Sequence, residues 1–195
     1  MLDVGSGLGY LPEAAREAGW EVAAFEPNEQ AKNQILKKGI PLEESLDNLN
    51  RDSYDVITLY HVLEHIHDLR STLKRLRKAL REGGYLIVAV PNHDAYERSM
   101  YQEYWAAYDV PRHLYHFNRE SIHYLCEKFK FEIITEELMP FDSFYVSLLS
   151  ETYKNPEAST LNHYIKGFFM GLKSYWAARK NIRSASSIQY TLKKI

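Results

Sequence analysis

Cysteine is nearly absent from this chain. The single thiol, Cys126, excludes an internal disulfide. It falls on the apolar stripe Ile122, Leu125, Cys126 and Phe129, which reads as a buried core thiol rather than a nucleophile. No apolar run is long enough to span a bilayer, and no signal-peptide pattern opens the sequence. With one thiol, the expected setting is a reducing cytoplasm. Net charge is also small, at -2 from 24 basic and 26 acidic residues. Acid is missing altogether from Ala158 to Ile195, where seven basic residues stand: Lys166, Lys173, Arg179, Lys180, Arg183, Lys193 and Lys194. Residues 1–157 therefore hold 17 basic residues against 26 acidic ones. Such asymmetry is read first as internal balance or a solvated helix face, and second as the mark of an anionic partner.

The 195 residues suit one domain, 1–195, with a sizeable core. What organises them stands at the start, in Leu2-Asp3-Val4-Gly5-Ser6-Gly7-Leu8-Gly9. A short apolar strand enters a turn with glycine at every second position. A helix follows, with Leu8, Leu11, Ala14, Ala15 and Ala18 on one face and Gly19 at its end. Glycines between strand and helix permit a sharp turn and a close ligand approach. The spacing G-x-G-x-G differs from the dinucleotide fingerprint G-x-G-x-x-G, because Tyr10 holds the place of the third glycine. That disfavours an NAD-binding oxidoreductase. A second strand, Glu21 to Phe25, ends on Glu26, an acid placed to accept hydrogen bonds from both ribose hydroxyls.

These residues, D-V-G-S-G-L-G and then Glu26-Pro27, resemble the first two motifs of class I S-adenosylmethionine-dependent methyltransferases. The resemblance implies S-adenosylmethionine as cofactor. It implies Asp3 near the methionine end, backbone approach at Gly5, Ser6, Gly7 and Gly9, and Glu26 with Pro27 at the ribose. In this family an acid and its neighbour further on contact the adenine, for which Ser45, Leu46 and Asp47 are regional candidates. It also implies a helix upstream of the first strand, and none precedes Leu2 here; a fragment or an unusual start would each account for that.

Asn28 caps a helix to about Lys38. Ile40-Pro41-Leu42 reads as a short third strand. Tyr54 to Tyr60 reads as a buried parallel strand. Asp68 caps an amphipathic helix with Leu69, Leu73, Leu76 and Leu80 inside. Gly83-Gly84 is expected to end that helix, and Tyr85 to Val90 to form the next strand, closed by Pro91-Asn92. The alternation predicts a doubly wound α/β sheet, Rossmann-like, of about seven strands. By resemblance the last strand runs antiparallel. Ligands in such sheets lie at the carboxyl ends of strands, where Asp3, Glu26, Tyr60, His61 and Asn92 fall. The expected segments are a cofactor-binding half at 1–92, an acceptor-side lid and sixth strand at 93–138, a helical insertion at 140–184 and the last strand at 187–194.

His61-Val62-Leu63-Glu64-His65 literally matches a zinc-protease pattern, which a sheet-strand end in this context rules against. It resembles the E-V-L-E-H of quinone-biosynthesis O-methyltransferases, where such residues are associated with a divalent metal. His61 replaces the first acid, which suits magnesium poorly and zinc better. The preferred reading has no metal: Glu64 and His65 shape the pocket by hydrogen bonding. If an ion is held, His61, Glu64 and His65 are its ligands. His61 also suits a general base, because methyl transfer to a hydroxyl or amine needs an aligned, deprotonated nucleophile.

Residues 93–117 are dense in aromatics and histidine. Pro111-Arg112-His113-Leu114-Tyr115-His116-Phe117 resembles a segment of one methyltransferase subfamily. His113 and His116 are further candidate bases over a substrate lid, with an aromatic packing layer as the equal alternative. Near Asn162 to Asn181 a basic, aromatic helix is expected to cap the domain or support a partner subunit. Contact with a membrane surface or a hydrophobic acceptor is its other reading. The expected function is methyl transfer to a small-molecule acceptor at oxygen or nitrogen. DNA is not expected, because the glycine-rich rim is not basic. The alternative is a non-catalytic or truncated module that binds cofactor or a partner.

Overall fold

The computed structural model describes residues 1–195. In chain order the elements are β1 (Leu2–Val4), α1 (Tyr10–Glu17), β2 (Ala23–Phe25), α2 (Glu29–Lys37), β3 (Tyr54–Tyr60), α3 (Leu69–Ala79) and β4 (Leu80–Pro91). Then come α4 (Tyr96–Tyr101), α5 (Arg119–Phe129), β5 (Phe131–Leu138), α6 (Asp142–Lys154), α7 (Thr160–Lys180) and β6 (Ser187–Lys194). One six-stranded sheet has the order β2-β1-β3-β4-β6-β5. β1 pairs in parallel with β2 and with β3. β6 runs the other way: the Asn92 N–H reaches Ser186 O at the end of β4, and the Met139 N–H reaches Ser187 O at the end of β5. The doubly wound α/β fold with an antiparallel last strand is therefore as expected.

Six strands replace the expected seven. Ile40-Pro41-Leu42 contributes a single parallel bridge, Ala24 to Leu42. The Ala24 N–H donates to Pro41 O at 2.9 Å and the Glu43 N–H to Ala24 O at 2.8 Å. Pro41 has no N–H with which to lengthen the ladder. A second difference lies at Gly83-Gly84, which fall inside β4 rather than ending a helix. α3 stops at Ala79, and the next residue, Leu80, is already extended. There the Lys78 and Ala79 carbonyls accept from the Asp52 and Ser53 N–H groups at 3.0 and 2.8 Å. Those tertiary bonds take up orphan carbonyls at the helix end. Asp68 caps α3 as expected, accepting from the Ser71 N–H.

The chain falls into two compact units. The first comprises residues 1–88, 125–134 and 191–195. Its central strands are buried on both faces, as parallel strands require: Leu2, Val4, Ile57 and Leu59 on one face are at most 2% exposed, and Asp3 and Thr58 on the other are each 4% exposed. α2 packs Ile35 against Ala24 and Ile40.

The second unit comprises residues 89–124 and 135–190. Its apolar centre gathers Ala95, Tyr101, Trp105, Ala106, Ala107 and Val146. Polar pins accompany that centre: Tyr101 Oη donates to Glu151 at 3.0 Å, and Ser150 Oγ accepts the Ala106 N–H at 2.9 Å. α6 and α7 form a close hairpin. A Cβ added at Gly167 would lie 2.7 Å from Leu148 Cα, and one at Gly171 would lie 2.7 Å from Phe144 Cα. Glycine at both positions lets the two backbones touch. The second expected insertion helix is present, over Thr160–Lys180.

Candidate functional site

The glycine turn is stitched to its neighbouring strand. The Gly5 and Ser6 N–H groups both donate to Phe25 O, at 2.7 and 3.2 Å. Ser6 Oγ donates back to Asp3 O at 2.8 Å, and the Gly9 N–H to Ser6 O at 2.9 Å. Two of the glycines serve different ends. Gly5 has φ +74°, and a Cβ there would fall 2.4 Å from Val62 Cγ2. Gly7 has φ +52°, and a Cβ there would meet nothing within 4 Å. Gly5 is thus demanded by packing, whereas Gly7 presents bare backbone to open space. Gly9, at the N-cap of α1, lies over Ile35.

Glu26 is anchored across this turn. It is 7% exposed. Oε2 accepts the Gly7 N–H at 2.7 Å, and Oε1 accepts the Asn28 N–H at 2.9 Å. Pro27 offers no N–H, so Asn28 supplies the first backbone donor after the acid. The Asn28 side chain in turn accepts from the Gln30 and Ala31 N–H groups and caps α2. Each carboxylate oxygen has a second lone pair beyond the bond it already makes. The acid is held in place and still able to accept.

Asp3 is 4% exposed and lies opposite Thr58 in the β1–β3 register. Thr58 Oγ1 donates to Asp3 Oδ1 at 2.5 Å. Burial pushes the Asp3 carboxyl above its usual range, and the hydrogen bonds from Thr58 and Ser6 pull part of the way back. Thr58 was not among the expected site residues. A single hydroxyl in the apolar run Val56-Ile57-Thr58-Leu59 was the signal for it.

Ser45 Oγ accepts the Asp47 N–H at 3.1 Å and caps the short turn Leu46–Asn48. Arg75 Nε meets Asp47 Oδ1 at 2.8 Å and ties that turn to α3. Tyr60 ends β3, half-buried. His61 follows with φ +53°, a left-handed backbone at a bulky residue. Its side chain is 40% exposed, and Nδ1 lies 3.5 Å from Glu64 Oε1, which is 1% exposed. The His65 N–H closes the turn onto Val62 O at 3.0 Å. The structure thus brings the His61 ring beside the buried Glu64 carboxylate.

His113 and His116 belong to the second unit. His113 Nδ1 lies 2.8 Å from Ala107 O, and His116 Nε2 lies 3.0 Å from Tyr108 O. A carbonyl only accepts, so these ring nitrogens carry the protons and fix each tautomer. His93, Trp105, Tyr108 and His116 pack together edge-on or tilted, with ring centroids 5.1 to 6.4 Å apart. Burial, then Arg98 and His116, lower the His93 pKa. Asn92, expected at the site rim, is committed to its own unit. Its Nδ2 donates to Arg183 O and Ala185 O, both at 2.8 Å, and Oδ1 accepts the Asp94 N–H.

A family model described as a methyltransferase domain matches residues 1–136. The ubiquinone biosynthesis O-methyltransferase of Proteus mirabilis is 32% identical over 104 residues. That match covers 48% of this chain and 42% of the relative. The protein of the same name from Idiomarina loihiensis is 33% identical over 104 residues, 43% of its length. The matched segment thus spans less than half of these curated relatives. Among solved structures, an S-adenosylmethionine-dependent methyltransferase from Archaeoglobus fulgidus superposes with a TM-score of 0.66 at 18% identity. It covers 99% of this chain and 85% of its own. Haemonchus contortus phosphoethanolamine N-methyltransferase 2, in complex with S-adenosyl-L-methionine, gives a TM-score of 0.62 at 18% identity over 100% of this chain and 48% of its own. At such identities the likeness is one of fold.

Proposed function

The chain belongs to the methyltransferase domain family, and from that premise we propose that it binds S-adenosylmethionine and transfers its methyl group to a small-molecule acceptor. The observation that carries this reading is the pairing of Gly7 with Glu26. An open backbone edge has a buried carboxylate fastened behind it, with lone pairs to spare. Such a cradle fits a ribose diol.

In this reading Glu26 accepts the ribose hydroxyls, and Pro27 stiffens the step into α2. Gly5, Ser6, Gly7 and Gly9 give the close backbone approach. Asp3 lies at the amino-acid end of the cofactor, and Ser45 with Leu46 lies at its base. When bound, the cofactor supplies a methyl carbon made electrophilic by the adjoining sulfonium. Tyr60 and His61 line the floor at the end of β3. A Nδ1–H turned towards Glu64 makes Nε2 the basic nitrogen of His61, which takes the proton from the acceptor. His113 and His116 are the other two candidate bases, with basic nitrogens Nε2 and Nδ1 respectively. The acceptor atom is proposed to be oxygen, supported by the names of the two curated relatives and by the H-V-L-E-H segment.

Calorimetric titration of the purified chain with S-adenosylmethionine, S-adenosylhomocysteine and NAD tests the reading. Binding of the first two and not of NAD is expected, followed by methyl transfer to a panel of phenols and amines read by mass. A folded chain that binds neither overturns it.

A further inference from the structure

We propose that α7 is a docking surface for an anionic membrane, which it meets lying flat along its outer face. The inner face of the helix is settled: His163, Gly167, Gly171, Ser174 and Ala178 are its buried residues, with Gly167 and Gly171 seated on α6. The opposite face carries Leu161, Ile165, Phe168, Phe169, Leu172 and Trp176 at helical spacing. Five of these are among the most exposed large apolar side chains of the protein, from 49% at Ile165 to 68% at Leu161. Successive aromatics face solvent where a helix of this kind ordinarily shows charge.

The charges lie beside the stripe. Lys166, Lys173 and Lys180 recur every seven residues, which places them on one line along the same border of the apolar face. Arg179, seven residues after Leu172, adds a cation at the carboxyl end on the line of the apolar face rather than on that of the lysines. No acid occurs from residue 158 to 195. An apolar stripe with aromatics, edged by lysine, is the pattern of a helix that rests in a lipid interface with its cations among the headgroups. No helix of the protein is long and apolar enough to cross a membrane. The charge pattern also chooses between occupants. A second copy laid on this face would bring lysine borders together with no acid of α7 to pair with them, whereas an anionic bilayer complements them.

The test is flotation of the full chain with vesicles of phosphatidylcholine alone and of phosphatidylcholine mixed with phosphatidylglycerol. Flotation with the anionic vesicles, weakening as salt rises, is expected. Phe168→Ser with Trp176→Ser should lower the bound fraction by about tenfold or more. Lys166→Glu with Lys173→Glu should do the same on anionic vesicles. These side chains are exposed, so unchanged thermal melting will report intact folding. Bromine-labelled acyl chains should quench a tryptophan signal that Trp176→Phe removes. No flotation by the folded wild-type chain overturns the proposal. So does a dimer, seen by light scattering, that the Phe168→Ser and Trp176→Ser pair breaks while vesicle binding is absent.

Discussion

Glu26 holds Gly7. The carboxylate at the end of β2 accepts the Gly7 N–H at 2.7 Å, across 19 residues of sequence. That bond sets the one glycine of the turn that faces open space. In the proposed reading the acid therefore has two parts, accepting the ligand and supporting the backbone that the ligand would approach.

Glu26→Gln should weaken binding of S-adenosylmethionine by about tenfold and lower stability by about 1–3 kcal/mol, because an amide NH2 would then face an N–H donor. Calorimetry and chemical denaturation measure the two effects. A loss of binding with unchanged stability would show that the Gly7 bond contributes little.

Gly5→Ala and Gly7→Ala should separate packing from recognition. Both force a Cβ into a left-handed backbone, at a cost of about 1 kcal/mol each. Only Gly5→Ala adds a 2.4 Å approach to Val62. Its thermal midpoint should fall further, whereas Gly7→Ala should stay folded and lose cofactor affinity. Equal destabilisation of the two would contradict this division.

Asp3 gives a pH signature. Its carboxyl is raised above the ordinary value of 3.8 by burial. The folded state holds this proton more tightly than the unfolded chain does. Its contribution to stability is then fully present below about pH 3.8 and is lost as pH rises through the folded value. Asp3→Asn keeps an oxygen to accept from Thr58 and removes the buried charge. It should raise stability at neutral pH by about 1 kcal/mol, with no gain in acid, while weakening cofactor binding. Denaturation curves at several pH values read the difference.

His61→Gly and His61→Ala should differ in stability and agree in turnover. Glycine relieves the left-handed backbone at φ +53°, a gain of about 0.5–1 kcal/mol over alanine. Both remove the imidazole, so both should slow methyl transfer with cofactor affinity unchanged. Equal loss of binding would mark His61 as structural.

Much of the first unit was legible because a buried parallel strand and a glycine turn leave a strong local signature. Leu2-Asp3-Val4, Tyr54 to Tyr60 and the cap at Asn28 needed no distant partner to be recognised. The misreadings came where distant contacts decide. Leu80-Arg81-Glu82 continues the helical pattern of α3, yet the Asp52 and Ser53 N–H groups seize the last carbonyls and the chain turns to strand. Ile40-Pro41-Leu42 has strand composition, but Pro41 limits it to a bridge. Glu97 gave no sign of its burial. It is 0% exposed, bonded to Ser174 Oγ from α7, 77 residues away, and burial lifts its carboxyl above the usual range. The left-handed turn at His61 was equally hidden, since a bulky residue argues against it.

Two close approaches, at Gly167 and Gly171, clamp one side of α7 to α6. A helix gripped at points four residues apart has lost its freedom to spin about its axis. Its aromatic row cannot rotate inward to hide, nor wait for a signal to rotate out. Whatever meets that row finds it already turned outward, like teeth on a fixed rack.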